Sequence, residues 1–183
     1  FYEALQNINK TSEHLSNTID DFRNFFSPNK EMNKFYISEL IKKSKDLIKS
    51  RFDKFNIKVI ENIDDIEILS YQNELFQVIL NLFSNSIDVL SSSQIENKII
   101  YIKIYHDENN LYIEFLDNGG GIKDEFINRV FEPYFTTKHK SQGTGIGLYM
   151  SLQIVTKHLN GEISVKNDTF IENNTAYFGA KFT

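Results

Sequence analysis

The sequence predicts an α+β fold: a two-layer sandwich of helices on a mixed, mainly antiparallel sheet, preceded by a long N-terminal helix. Three observations lead there. Apolar residues recur at helical spacing over several long stretches. Strand-like runs come in neighbouring pairs joined by short Asn- and Asp-rich turns, which is hairpin chemistry and speaks against a doubly wound parallel sheet. Six of the eight glycines fall in two clusters, Gly119-Gly120-Gly121 and Gly143-Thr144-Gly145-Ile146-Gly147. Glycine concentrates where backbone takes positive φ or lies close against a ligand.

The elements follow in order. Residues 1–27 carry Leu5, Ile8, Leu15, Ile19, Phe22 and Phe26 at spacings of three, four or seven. That stripe predicts an amphipathic helix, which needs a partner to cover it. Pro28-Asn29 breaks it. A second helix is predicted over 36–52 from the pattern Tyr36, Ile37, Leu40, Ile41, Leu47, Ile48 and Phe52. Two short strands, 57–60 and 66–69, flank the acidic turn Asn62-Ile63-Asp64-Asp65. The most apolar helix is predicted over 71–91, and strands over 99–105 and 111–116 are joined by Asp107-Glu108-Asn109-Asn110. A short helix near 123–130 precedes an irregular stretch, 131–144, longer than packing requires and read as a lid. A helix over 145–159 stops at Asn160-Gly161. Strands over 162–166 and 175–182 close the chain. Residues 1–34 are expected to be a helix and linker, and 35–183 one domain.

Composition removes several function classes. A hydrophobic fraction of 40% with 16 Phe is enough for a core. The net charge of −5, with Lys and Arg spread along the chain, excludes the basic stripe of a nucleic-acid binder. Absence of cysteine removes disulfides, thiolate zinc sites and cysteine nucleophiles. No apolar run reaches the ~20 residues of a membrane helix, so no membrane contact is expected from this chain. Because it begins with Phe1, it is expected to be a fragment.

Four segments carry chemistry. Asn81 and Asn85 lie four apart on the apolar helix, hence on one face. Such amides need polar partners, either backbone or a ligand. Asp117 ends a strand ahead of Gly119 and Gly121, where it can accept a hydrogen bond from an exocyclic amine or simply make an Asp-Gly turn. Phe131-Glu132-Pro133-Tyr134-Phe135-Thr136-Thr137-Lys138 is either core or the root of a lid, with Thr136, Thr137 and Lys138 in reach of phosphate oxygens. Gly143-Thr144-Gly145-Ile146-Gly147-Leu148 opens a helix, whose free N–H groups favour an anion. It follows a loop late in the chain and lacks the Gly-Lys-Ser/Thr ending, so neither a dinucleotide fold nor a P-loop fits.

In this order and spacing the four segments resemble the N box, first glycine box, F box and second glycine box of the two-component sensor histidine kinases. The resemblance covers residues 37–183 and implies a Bergerat-type ATP-binding fold. It implies ATP and Mg²⁺ as cofactors. Asn85 would hold Mg²⁺, a hard ion that keeps several waters and takes few protein ligands. Asp117 would accept from the adenine amine, with Gly119, Gly121 and Ile122 beneath the base. Phe135, Thr136, Thr137 and Lys138 would form the lid root. Gly143, Thr144, Gly145, Ile146, Gly147 and Leu148 would cradle the phosphates. Asn81 and Lys138 are the expected catalytic pair, Lys138 at the γ-phosphate.

Hydrolytic members of the superfamily carry Glu where Asn81 stands, as general base for water. An amide cannot take that proton, so the resemblance implies a kinase. A hydrolytic ATPase and a non-catalytic nucleotide-binding scaffold remain the alternatives. Asp88, expected among the cofactor-site residues, departs from the pattern, standing where many members place a phosphate-binding Lys; Lys138 is expected to compensate. The implied partners are a response-regulator receiver domain and a second copy through a helical hairpin, of which residues 1–27 resemble the second helix. The implied location is cytoplasmic, with a parent that is membrane-anchored or not. None of His14, His106, His139 and His158 has the acid and proline that flank the family's acceptor histidine. All four are read as structural or solvated. Incubated with γ-³²P-labelled ATP, this chain is therefore expected to form no acid-labile phosphohistidine; clear labelling would place the acceptor within it.

Overall fold

The computed structural model describes residues 31–138 and 143–183. The expected helix over 1–27 and residues 139–142 of the expected lid lie outside the described residues. The elements run β1 (Asn33–Tyr36), α1 (Ile37–Phe55), β2 (Ile57–Ile63), β3 (Glu67–Ser70), α2 (Gln72–Ser92), β4 (Lys98–His106), β5 (Leu111–Asp117), α3 (Asp124–Ile127), α4 (Gly147–Lys157), β6 (Val165–Glu172) and β7 (Thr175–Phe182). The main sheet has the order β2-β4-β5-β7-β6, and β1 pairs with β3 in a separate two-stranded ribbon. Among the described residues only β2 and β4 run parallel, with α2 on the crossover between them. The remaining pairs are antiparallel. The predicted α+β sandwich is the one observed.

One face of the sheet carries the helices. In β4, Ile100, Ile102 and Ile104 alternate toward them, as period-two geometry requires. Helix α2 buries Leu75, Val78, Ile79, Leu82, Phe83, Ser86, Ile87 and Leu90 along its length. Its Phe83 is fully buried between two aromatic edges. The ring of Phe52, from α1, is 5.4 Å away at 71°, and that of Phe115, from β5, is 5.0 Å away at 86°. Edge-to-face contacts of this kind add to area burial. The opposite sheet face carries a smaller cluster of Ile99, Leu116 and Phe170, with Tyr101 and Tyr177 stacked on Phe170 at 5.5 and 5.4 Å.

Leu47, part of the pattern that predicted the second helix, is 64% exposed on α1. Three of the departures from the predicted elements have a non-local or turn-chemical reason. Tyr36, read as helical, closes strand β1, because Phe35 is buried and β1 hydrogen-bonds to β3, more than thirty residues on. The neighbouring runs 57–60 and 66–69 do not pair with each other: β2 joins β4 and β3 joins β1. The strand predicted over 162–166 runs Val165–Glu172. Asn173 and Asn174, at φ 49° and 61°, make a two-residue turn that carries the strands up to Glu172 and Thr175. Two positive-φ residues are the requirement of a tight hairpin turn, and Asn tolerates them. Among the described residues no helix is long and apolar enough to cross a membrane.

Phe83→Ala removes the contact that unites α1, α2 and β5. It is expected to cost about 3–5 kcal/mol, measured as a lowered midpoint in chemical denaturation.

Candidate functional site

A cavity of about 520 Å³ opens between α2, the loop after β5, the segments around 131–138 and 143–147, and α4. Helix α2 contributes Asn81, Ser84, Asn85, Asp88 and Val89, successive turns of the face opposite its core stripe. Every residue expected at the site lines this cavity except Gly119, which lies behind it against Val89. The other three pieces converge from widely separated parts of the chain, as their spacing implied.

At one end lies Asp117, 3% exposed. One carboxylate oxygen accepts the Gly119 N–H at 2.9 Å, and the other receives the Ser86 hydroxyl at 3.4 Å. Burial pushes the carboxyl above its usual range, against the lowering effect of hydrogen bonds from Gly119, Ala180 and Ser86. Two features that hold this end in place carry no motif. Asn167 of β6 accepts the Ile122 N–H at 2.8 Å and donates to the Ile122 carbonyl at 2.7 Å, so its amide completes the glycine loop as a strand would. At Gly179 of β7 a Cβ would stand 1.9 Å from the Asp117 carbonyl oxygen. A lone glycine inside a strand is the sequence signal of such close backbone approach. Nothing local marks Asn167.

At the other end, α4 begins at Gly147 and directs its first turn at the cavity. The loop before it needs Gly145, which sits at φ 67° with a Cβ position 2.4 Å from the Tyr134 carbonyl carbon. Asn81 donates to the Gly147 carbonyl and to the Ser151 hydroxyl, both at 3.2 Å, and so ties α2 to the start of α4. The Thr136 hydroxyl accepts the Lys138 N–H at 3.1 Å. Lys138 reaches the cavity, but its Nζ donates to Asp88 at 2.7 Å. The other Asp88 oxygen receives Nη2 of Arg51, also at 2.7 Å. Arg51 comes from α1 and was not among the expected residues; a single Arg on the polar side of an amphipathic helix carries no local signal. Elsewhere, His158 Nδ1 lies 3.0 Å from Glu74, linking the end of α4 to the start of α2, and His106 is more than half exposed near Asp64.

The donor set suits a purine nucleotide with its phosphates. The volume falls within the ~300–1,000 Å³ usual for small-molecule sites. A buried carboxylate lies at one end; backbone N–H groups, Thr136, Thr137, Arg51 and Lys138 lie at the other. Asn85 offers one neutral amide oxygen, and the described residues contain no group of three His, Cys, Asp or Glu placed to hold a metal. That suits an ion which arrives with phosphates, as Mg²⁺ does.

The comparisons with known proteins agree. The family of histidine kinase-, DNA gyrase B- and HSP90-like ATPases matches residues 70–183. Sporulation kinase E of Bacillus subtilis (strain 168) is 31% identical over 135 residues, 73% of this chain and 18% of that protein. The nucleotide-free catalytic domain of histidine kinase ThkA superimposes with a TM-score of 0.64 at 26% identity, over 83% of this chain and 94% of its own. ThkA in complex with response regulator protein TrrA shares the fold, with a TM-score of 0.64 at 23% identity over 96% of this chain and 49% of that one. The chain therefore belongs to the histidine kinase-, DNA gyrase B- and HSP90-like ATPase family, as an ATP-binding catalytic domain of the sensor histidine kinase type. It spans less than a fifth of the sporulation kinase it matches.

Asp117 links the site to stability. Its carboxyl binds a proton more readily folded than unfolded. The stability it contributes is thus fully present below the unfolded carboxyl range and is lost as pH rises through the raised folded value. At neutral pH the buried charge is a net burden. Asp117→Asn keeps an acceptor for Gly119 and removes the charge. It is expected to raise Tm at neutral pH, by a margin that shrinks on acidification, in thermal unfolding followed across the mildly acidic range.

Proposed function

We propose that this domain binds Mg-ATP and donates the γ-phosphoryl group to a histidine on an upstream helix, for onward transfer to an aspartate of a response-regulator receiver domain. The adenine amine would donate to Asp117, over a floor made by Gly121 and Ile122, with Gly119 bracing Asp117 from behind. Backbone N–H groups of Gly143, Gly145 and Gly147 would meet the phosphates, with Thr136, Thr137 and Lys138 closing from the lid root. Asn85 would provide the protein's oxygen for Mg²⁺. Bound Mg-ATP supplies the phosphoryl group and much of the charge neutralisation; the protein's part is positioning, which is what phosphoryl transfer chiefly needs.

The observation that carries this reading is the lack of a base near the phosphate end. Asn81 is an amide with its N–H groups committed to Gly147 and Ser151. Among the described residues lining the cavity, the carboxylates are Asp88 and Asp117. Asp88 is paired with Arg51 and Lys138, and Asp117 is buried at the opposite end. Neither is free to activate water, which favours a phosphoryl donor over a hydrolase. The response-regulator partner is supported by the ThkA complex of like fold. In this reading residues 1–34 supply the second helix of a dimerisation and phosphotransfer hairpin with its linker, and the domain works in the cytoplasm.

In the full-length parent, γ-³²P-labelled ATP is expected to label an acid-labile phosphohistidine, and Asn85→Ala to remove the Mg²⁺-dependent part of ATP affinity while leaving Tm unchanged. Steady phosphate release with no labelled histidine would favour the hydrolytic ATPase instead.

A further inference from the structure

Asp88 puts an acid at the phosphate end of the cavity, one turn beyond Asn85. Alone it would repel a polyphosphate. The structure instead gathers two cations on it. Arg51 forks across α2, with Nη2 on Asp88 at 2.7 Å and Nη1 on the Ser84 hydroxyl at 3.2 Å. Lys138 takes the second carboxylate oxygen at 2.7 Å. All four residues line the cavity. The group carries two positive charges against one negative, in a chain whose net charge is −5.

Fold stability does not account for this arrangement. The side chains of Arg51, Asp88 and Lys138 are 37%, 34% and 28% exposed. Pairs so open to water contribute little, and one cation would balance the carboxylate. A guanidinium beside a cradle of backbone N–H groups is suited to phosphate, which it binds through two parallel hydrogen bonds.

We propose that Arg51 contacts the ATP phosphates directly, in place of a basic residue at position 88. Asp88 is then a positioning residue. It keeps Arg51 and Lys138 at the cavity wall and shares them with the phosphates when nucleotide enters. The inference rests on the nucleotide reading above and adds a residue from α1, outside the four sequence boxes.

The test is nucleotide affinity of the full chain for ATP and AMP, by calorimetry, in the wild type, Arg51→Gln, Asp88→Asn and the double variant. Arg51→Gln is expected to weaken ATP on the order of tenfold and leave AMP unchanged. The loss persists in the Asp88→Asn background, because the contact is with phosphate. Arg51→Lys keeps the charge without the fork and recovers part of it. Equal losses for ATP and AMP, or a loss that disappears once Asp88 is Asn, would overturn the proposal, since Arg51 would then only brace the fold or neutralise Asp88. A wild type that binds neither nucleotide would overturn the nucleotide reading itself.

Discussion

The position of helix α2 over the sheet governs almost everything else. Phe83 sits between Phe52 and Phe115 and locks α2 against both α1 and β5. Close packing allows such a helix little rotation. Once its apolar face is down, Asn81, Ser84, Asn85 and Asp88 have no freedom but to face the cavity. The same contact brings α1 alongside, so Arg51 can reach across to Asp88. Core and site are two faces of one helix, and neither can shift without the other.

The two ends of the cavity use opposite physics. Asp117 is almost wholly buried, and its carboxyl sits where ionisation is costly. Perturbed groups in clefts cluster at functional sites for this reason. Its surroundings are rigid: Gly179 lets β7 pass directly over it, and Asn167 stitches the loop to β6. The opposite end, at Arg51, Asp88 and Lys138, is open and rests on charge. There the positively charged group of Arg51, Asp88 and Lys138 gives an acidic protein a local field favourable to anions. One end is defined by shape and hydrogen bonding, the other by electrostatics.

Asn81 joins these themes. In a hydrolytic relative its position would hold a base; here it is a structural tie between α2 and the first turn of α4. Replacing a carboxylate by an amide removes proton transfer and adds two directed donors. Those donors steady the glycine loop that precedes α4.

What the sequence by itself determined is whatever is local. Helical periodicity marked α1, α2 and α4, alternation and turn residues marked β4, β5 and β7, and glycine clusters marked the two loops that meet the cavity. Motif spacing named 16 of the 25 lining residues, because each box is a short stretch whose chemistry is written in consecutive positions. Tertiary structure alone decided the rest. The pairing of β1 with β3 and of β2 with β4 depends on partners far along the chain. Arg51, Asn167 and Gly179 enter the site from α1, β6 and β7, elements with no box of their own. Periodicity reports which face of an element is buried, but which distant element covers that face is set only when the whole core packs.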